Sequence, residues 1–167
     1  LDSEAMEGAP IGDRYQPHRT EPDSDAVSRA ADVLLAAKNP LIVCGGGVMI
    51  AGAEDELRQL SETLAIPVAT SISGRGTLPD SHALSAGVVG SNGGVAETRE
   101  LVEQADAIFY MGCRAGSVTT ERWQYPAPGS VRIVHVDMDE RVIGANYEPD
   151  AAIVGDAKAA LSALNRE

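Results

Sequence analysis

The run PLIVCGGGV at positions 40–48 stops on three successive glycines, Gly45, Gly46 and Gly47. Glycine after a buried strand admits something close to the backbone. That is either a phosphate on free amides or another piece of chain in tight packing. The dinucleotide fingerprint G-x-G-x-x-G needs glycine where this sequence has Ile50. It also needs an acidic ribose partner at the end of the next strand, where this sequence has Thr70 and Ser71. A dehydrogenase-type NAD site is disfavoured, and both the phosphate and the packing readings stay open.

Four more stretches have similar potential. TSISGRG, positions 70–76, offers hydroxyls, amides and Arg75 to a diphosphate, or forms a solvated loop. Gly112-Cys113-Arg114 follows an apolar run, where a guanidinium calls for an anion, carbonyls or a carboxylate of the same domain. Asp137-Met138-Asp139 ends another run, where an acid accepts hydrogen bonds from a ribose or caps a short helix through Val142. A DxD metal site there lacks further ligands in the sequence. The fifth stretch is Gly155-Asp156. No catalytic set joins them: His18, His82 and His135 are scattered, His135 reads as a satisfied core residue, and GxSxG, HExxH and Walker A patterns are absent.

The elements that position these residues follow from periodicity. Residues 24–38 place Val27, Ala30, Ala31, Leu34 and Leu35 on one helical face, with Ser24 or Asp25 as N-cap. A second amphipathic helix covers 53–64, a third runs from an Asn92 cap to Gln104, and a fourth spans 157–164 with Asp156 as cap. Apolar strands are expected at 41–44, 66–70, 107–112, 131–136 and 152–154. Near-continuous apolar strands alternating with helices predict a parallel sheet covered on both faces, a doubly wound α/β domain. Ligands of that architecture sit beyond the carboxyl ends of the strands. All five stretches fall at such ends. Residues 1–23 show no periodicity and read as a linker or arm, leaving 24–167 as the domain.

Composition narrows the classes. A formal charge of −12 disfavours nucleic acid and anionic membrane surfaces as partners. No apolar run approaches the roughly 20 residues of a bilayer span, and no basic-then-apolar leader opens the chain. Cys44 and Cys113 form no metal-binding motif and read as reduced, buried thiols of a cytoplasmic protein. The chain begins on Leu1 rather than Met, which suggests processing or a piece of a longer polypeptide.

The order of these motifs resembles the central domain of thiamine-diphosphate-dependent enzymes such as acetohydroxyacid synthase, oxalyl-CoA decarboxylase and benzoylformate decarboxylase. The segments that carry the likeness are AADVLLAAKNPLIVCGGGV, LAIPVATSISGRGTLPDSHALSAGVVG, ADAIFYMGCRAGSVTT and VHVDMDERVIGANYEPDAAIVGDAKAAL, from about Pro22 to Leu164. The resemblance implies a six-stranded, Rossmann-like domain of a three-domain chain, flanked by a pyrimidine-binding domain and a diphosphate-binding domain. It implies thiamine diphosphate and magnesium in the parent enzyme, a 2-oxo-acid decarboxylase or carboligase, but not in this fragment. Gly155-Asp156-Ala157 is not the family's GDG…N motif, because the third glycine is missing. In flavin-containing members the central domain binds FAD. Carried over by position, the contacts are Gly45, Gly46, Gly47, Thr70, Ser71, Val88 and Val89. Gly112, Cys113, Arg114, Asp137, Met138, Gly155, Asp156 and Ala157 complete the set. The charged residues that flavin members carry after GxR are replaced by Gly116 and Val118, so ADP or CoA, or a vestigial site, stand beside FAD. The fragment is expected to be inactive alone and to self-associate through surfaces that meet its partners. A free-standing nucleotide-binding or sensor domain of the same fold is the alternative; a sirtuin-like deacylase would need zinc cysteines that are absent.

Overall fold

A computed structural model describes residues 19–167. Ser24–Leu35 forms α1, followed by β1 at Pro40–Cys44, α2 at Gly46–Ala51, α3 at Glu54–Leu64 and β2 at Val68–Thr70. A 3-10 turn at Ile72–Gly74 leads to β3 at Ser85–Val88, then α4 at Ala96–Gln104 and β4 at Ala107–Met111. The chain continues through β5 at Arg132–Asp137 and β6 at Ala151–Val154 to α5 at Ala157–Leu164.

All strand pairs are parallel and the order is β3-β2-β1-β4-β5-β6. Strand order therefore reverses between β1 and β4, the place where open α/β sheets leave a crevice. β4 is fully buried along AIFYM. One core cluster packs Ile42, Phe109, Val134 and Ile153 against α1, α3 and α5. The other gathers Leu41, Val43, Ile108, Tyr110 and Tyr147 on the opposite face.

The helix ends show why the sequence folds locally as it does. Asp23 caps α1 by accepting from the Ala26 amide at 2.9 Å, one residue before Ser24 and two before Asp25, the expected caps. Asp156 caps α5 as expected, accepting from Lys158 and Ala159 at 3.0 and 3.1 Å. The helix expected from Asn92 begins only at Ala96, because the Asn92-Gly93-Gly94 stretch turns, with Gly93 at φ 102°.

Two elements escaped the periodicity reading. β3, Ser-Ala-Gly-Val, is half-buried along its length and too short to alternate. The α2 helix has no side-chain cap and ends at Gly52 with φ 62°, so the glycine run opens a helix of its own before α3. β2 also starts at Val68 rather than Ile66: Ala65 turns left-handed (φ 53°) and Ser61 Oγ donates to the Ile66 carbonyl at 2.8 Å.

Candidate functional site

What comes close to the glycines is the chain itself. A methyl group on Gly45 would lie 2.1 Å from the Gly112 carbonyl oxygen, and one on Gly47 would lie 2.8 Å from Gly112 Cα. The approach is reciprocal, since a Cβ on Gly112 would meet Gly47 Cα at 2.8 Å. Hydrogen bonds lock it: Gly45 N donates to Met111 O at 2.9 Å and Gly47 N to Gly112 O at 3.1 Å. Gly74 is held the same way, its missing Cβ falling 2.3 Å from the Cys44 carbonyl oxygen, while Ser71 N donates to that carbonyl at 2.8 Å. Two of the three amides that could have cradled a phosphate are thus engaged at the switch point, where the loops after β1 and β4 press together.

Two clefts remain beside that contact on the carboxyl edge. One, about 650 Å³, is lined by Gly45, Gly46, Ser71, Ser73, Cys113, Ser117 and neighbours. The other, about 540 Å³, is lined by Asp137, Met138, Gly155, Asp156, Ala157 and the Arg19-Thr20 segment. Gly47, Ile50, Gly112 and Arg114 line both. Volumes of this order suit small-molecule sites. A larger cleft of about 810 Å³ lies at the other end of the sheet, around Asp106, Arg132 and Asp150. Two of its three acids serve the backbone, Asp106 accepting from Lys38 N and Asn39 N and Asp150 from Ile133 N. The carboxyl edge is therefore the better candidate, on chemistry rather than size.

The structure brings most of the sequence-proposed positions to these clefts. Thr70, Val88 and Val89 line neither: Thr70 and Val89 are buried, and Val89 N donates to Thr70 O at 2.9 Å, joining β3 to β2. Asp156 lines a cleft but is already occupied by the α5 cap and by Arg19 Nη1 at 2.7 Å. Asp137 Oδ1 accepts from Asp139 N at 3.0 Å. The Arg141 guanidinium on Asp139 drives that carboxyl down to about 2. No short helix runs to Val142; residues 140–144 are a turn. Among the described residues, no group of three His, Cys, Asp or Glu side chains is placed to hold a metal ion.

Arg114 differs from these groups. It is exposed, lines both clefts, and enters no salt bridge among the described residues. Its backbone is anchored, because its carbonyl accepts from Asn146 Nδ2 at 2.9 Å. Ile50 went unnoticed as a site residue. It was marked only as the residue that breaks the dinucleotide fingerprint, and it stands 88% exposed between the two clefts. An apolar side chain in place of the fingerprint glycine was the available signal.

Beneath the edge, His135 is buried and its Nε2 lies 2.9 Å from Cys113 O. Burial pushes its pKa below the ordinary value, against smaller opposing effects of that carbonyl and Asp137. The folded state therefore favours neutral imidazole. Its contribution to stability is complete above about pH 6.5, the unfolded value, and is lost as pH falls from there through the lower folded pKa. Urea midpoints at pH 7.5 and 5.5 test this: the wild type should lose more stability on acidification than His135→Gln. Equal losses would refute it. Burial also raises both thiols, so Cys44 and Cys113 stay protonated at neutral pH. They belong to core clusters on opposite faces of the sheet and do not pair.

Residues 27–164 match the family model described as "Thiamine pyrophosphate enzyme, central domain". The chain belongs to this family. A probable acetolactate synthase large subunit of Methanocaldococcus jannaschii is 39% identical over 138 residues, covering 83% of this chain and 23% of the relative. A probable 2-ketoarginine decarboxylase of Pseudomonas aeruginosa is 36% identical over 149 residues, covering 89% and 25%. An X-ray structure from Mycobacterium smegmatis, of a protein proposed as a thiamin diphosphate-dependent enzyme, superposes with a TM-score of 0.73. It is 27% identical, over 92% of this chain and 29% of that one. The chain thus spans about a quarter of the length of these relatives. No helix among the described residues is long and apolar enough to cross a membrane.

Proposed function

We propose that this chain is the non-catalytic central domain of a thiamine-diphosphate-dependent 2-oxo-acid decarboxylase or carboligase, acetolactate-synthase-like in sequence. The observation that carries the reading is the family match over 27–164, which confines the likeness to one domain of much longer relatives. Thiamine diphosphate and magnesium belong to the flanking domains in this reading. The described residues here do not fit them: the one acid beside Gly155 is spent on the α5 cap and Arg19. Relatives of nearly equal identity are named for a synthase and for a decarboxylase. The test is the reading frame around codons 1 and 167. A pyrimidine-binding domain should precede and a diphosphate-binding domain with its GDG…N motif should follow. Stop codons on both sides would refute the reading and favour a free-standing binding or sensor domain.

The carboxyl-edge clefts are proposed to take the anionic part of an adenine nucleotide, as FAD, ADP or CoA. Arg114 is the group that supports this, being an exposed cation on an anchored backbone between two clefts, with no ion pair to a carboxylate among the described residues. Ser71, Ser73 and Ser117 hydroxyls in the same cleft supplement it, in place of the engaged glycine amides. A charge-assisted contact contributes about 1.5–3 kcal/mol, so Arg114→Ala should weaken binding about 10- to 150-fold. Calorimetric titration with ADP, CoA and FAD measures it. Unchanged affinity in the variant, or no binding below millimolar by the wild type, would mark the clefts as vestigial.

A further inference from the structure

Gly155-Asp156, one of the five strand-end stretches, holds a piece of the chain itself. Residues 19–22 pass over Gly155 on the way into α1, and a Cβ on that glycine would lie 3.2 Å from Thr20 O and 3.5 Å from Pro22 Cα. Thr20 O accepts from Asp156 N at 2.9 Å. This packing and the backbone bond hold the segment without help from the Arg19 side chain. That side chain makes a separate contact, Nη1 donating to Asp156 Oδ1 at 2.7 Å. The same oxygen accepts from Lys158 N and Ala159 N as the α5 cap. The side chain of Asp156 is 15% exposed and that of Arg19 47%. The carboxylate is thus fixed by its helix, while the guanidinium stands half in solvent.

Charge gives this pair a use. The cleft of about 540 Å³ beyond β5 and β6 is lined by three carboxylates, Asp137, Asp139 and Asp156, and by two guanidiniums, Arg19 and Arg114. Arg141 offsets Asp139 and Arg19 offsets Asp156, which leaves Arg114 to offset Asp137. In that state the cleft has no surplus positive charge for an anion. A half-exposed ion pair is weak, whereas a guanidinium grips a phosphate through two parallel, charge-assisted bonds. Exchange of Asp156 for a phosphate is therefore favoured for Arg19, and the Thr20 bond keeps the residue at the cleft while it exchanges. Asp156 tolerates the loss, because the first amides of α5 still satisfy it. We propose that Arg19 is a second anion-binding residue of this cleft, held in reserve by Asp156, and that a diphosphate bound at Arg114 breaks the Arg19–Asp156 pair and takes Arg19 over. The inference rests on the reading of the carboxyl-edge clefts as an adenine-nucleotide site. It adds that the site selects two phosphates over one.

Calorimetric titration of the 167-residue chain with ADP and with AMP tests this. The wild type should bind ADP at least about tenfold more tightly than AMP. Arg19→Gln should remove most of that preference, weakening ADP about tenfold and AMP less than about threefold. Asp156→Asn keeps an N-cap, since Asn caps a helix about as well as Asp, and removes the competing charge. It should tighten ADP about three- to fivefold, the strength of an exposed ion pair, and should give no such gain in the Arg19→Gln background. Arg19→Gln changes a half-exposed side chain outside the core, so its result decides even if Asp156→Asn destabilises α5. ADP affinity unchanged by Arg19→Gln would overturn the proposal and leave the Arg114 site intact. Weaker ADP binding by a folded Asp156→Asn, or equal tightening in the Arg19→Gln background, would overturn the exchange as well. No ADP binding below millimolar by the wild type would overturn both the proposal and the nucleotide reading.

Discussion

Gly45→Ala should cost at least about 3 kcal/mol of stability, the upper range for forcing atoms into a packed interior. The new methyl carbon would sit 2.1 Å from Gly112 O, 2.6 Å from Cys113 Cα and 2.8 Å from Gly112 C. All three are backbone atoms directly after the central strand, so no rotamer change relieves the clash. The cost is steric rather than conformational: Gly45 has φ −99° and ψ −177°, extended backbone that any residue adopts. Against a typical total of about 5–15 kcal/mol, such a loss leaves a marginal fold. Gly46→Ala should cost less, because its methyl would meet Ser73 O at 3.2 Å and Ser73 Cβ at 3.3 Å. Gly116→Ala has nothing within 4 Å and should stay within about 0.5 kcal/mol of wild type. Urea unfolding of the three variants measures the series. Wild-type stability in Gly45→Ala would mean that the loops after β1 and β4 do not meet as described.

That contact also shows where sequence reading ends. The strands at 40–44, 107–111 and 132–137 announce themselves by unbroken apolar runs, because a parallel sheet covered on both faces buries both sides of each strand. The convergence of five strand ends on one edge then follows from parallel direction alone, which is why Arg114, Asp137 and Gly155 could be placed together without coordinates. The reason for the glycines could not. Gly45 and Gly112 are far apart in sequence and meet only because β1 and β4 are neighbours, and no local pattern records that adjacency. β3 was invisible for a different reason, four half-buried residues with a glycine at φ 81° inside. Thr70 and Val89 were carried to the site by position, yet the β2–β3 pairing turns them inward.

The largest expected effect is on catalysis: the isolated chain should show no turnover of any 2-oxo acid with added thiamine diphosphate and magnesium. Enzymes accelerate their reactions by about 10⁶-fold or more, and that demands groups placed on the reacting atoms. Among the described residues, the imidazoles, the thiols and two of the cleft carboxylates are committed elsewhere. His135 is buried against the Cys113 carbonyl and kept neutral. Cys44 and Cys113 are protonated thiols within the core. His82 joins Glu62 at 3.0 Å and takes the Leu84 amide at 3.2 Å, which ties the β2–β3 connection to α3. Asp156 and Asp139 are held by Arg19 and Arg141. Arg114, the exposed cation between the clefts, can hold an anion, and Asp137 in one of those clefts accepts from the Asp139 amide at 3.0 Å. Carbon dioxide release from pyruvate and longer 2-oxo acids, followed with and without the chain, should be indistinguishable. Turnover that scales with protein and survives repeated purification would show that this domain carries chemistry of its own, and the assignment of catalysis to the flanking domains would fall.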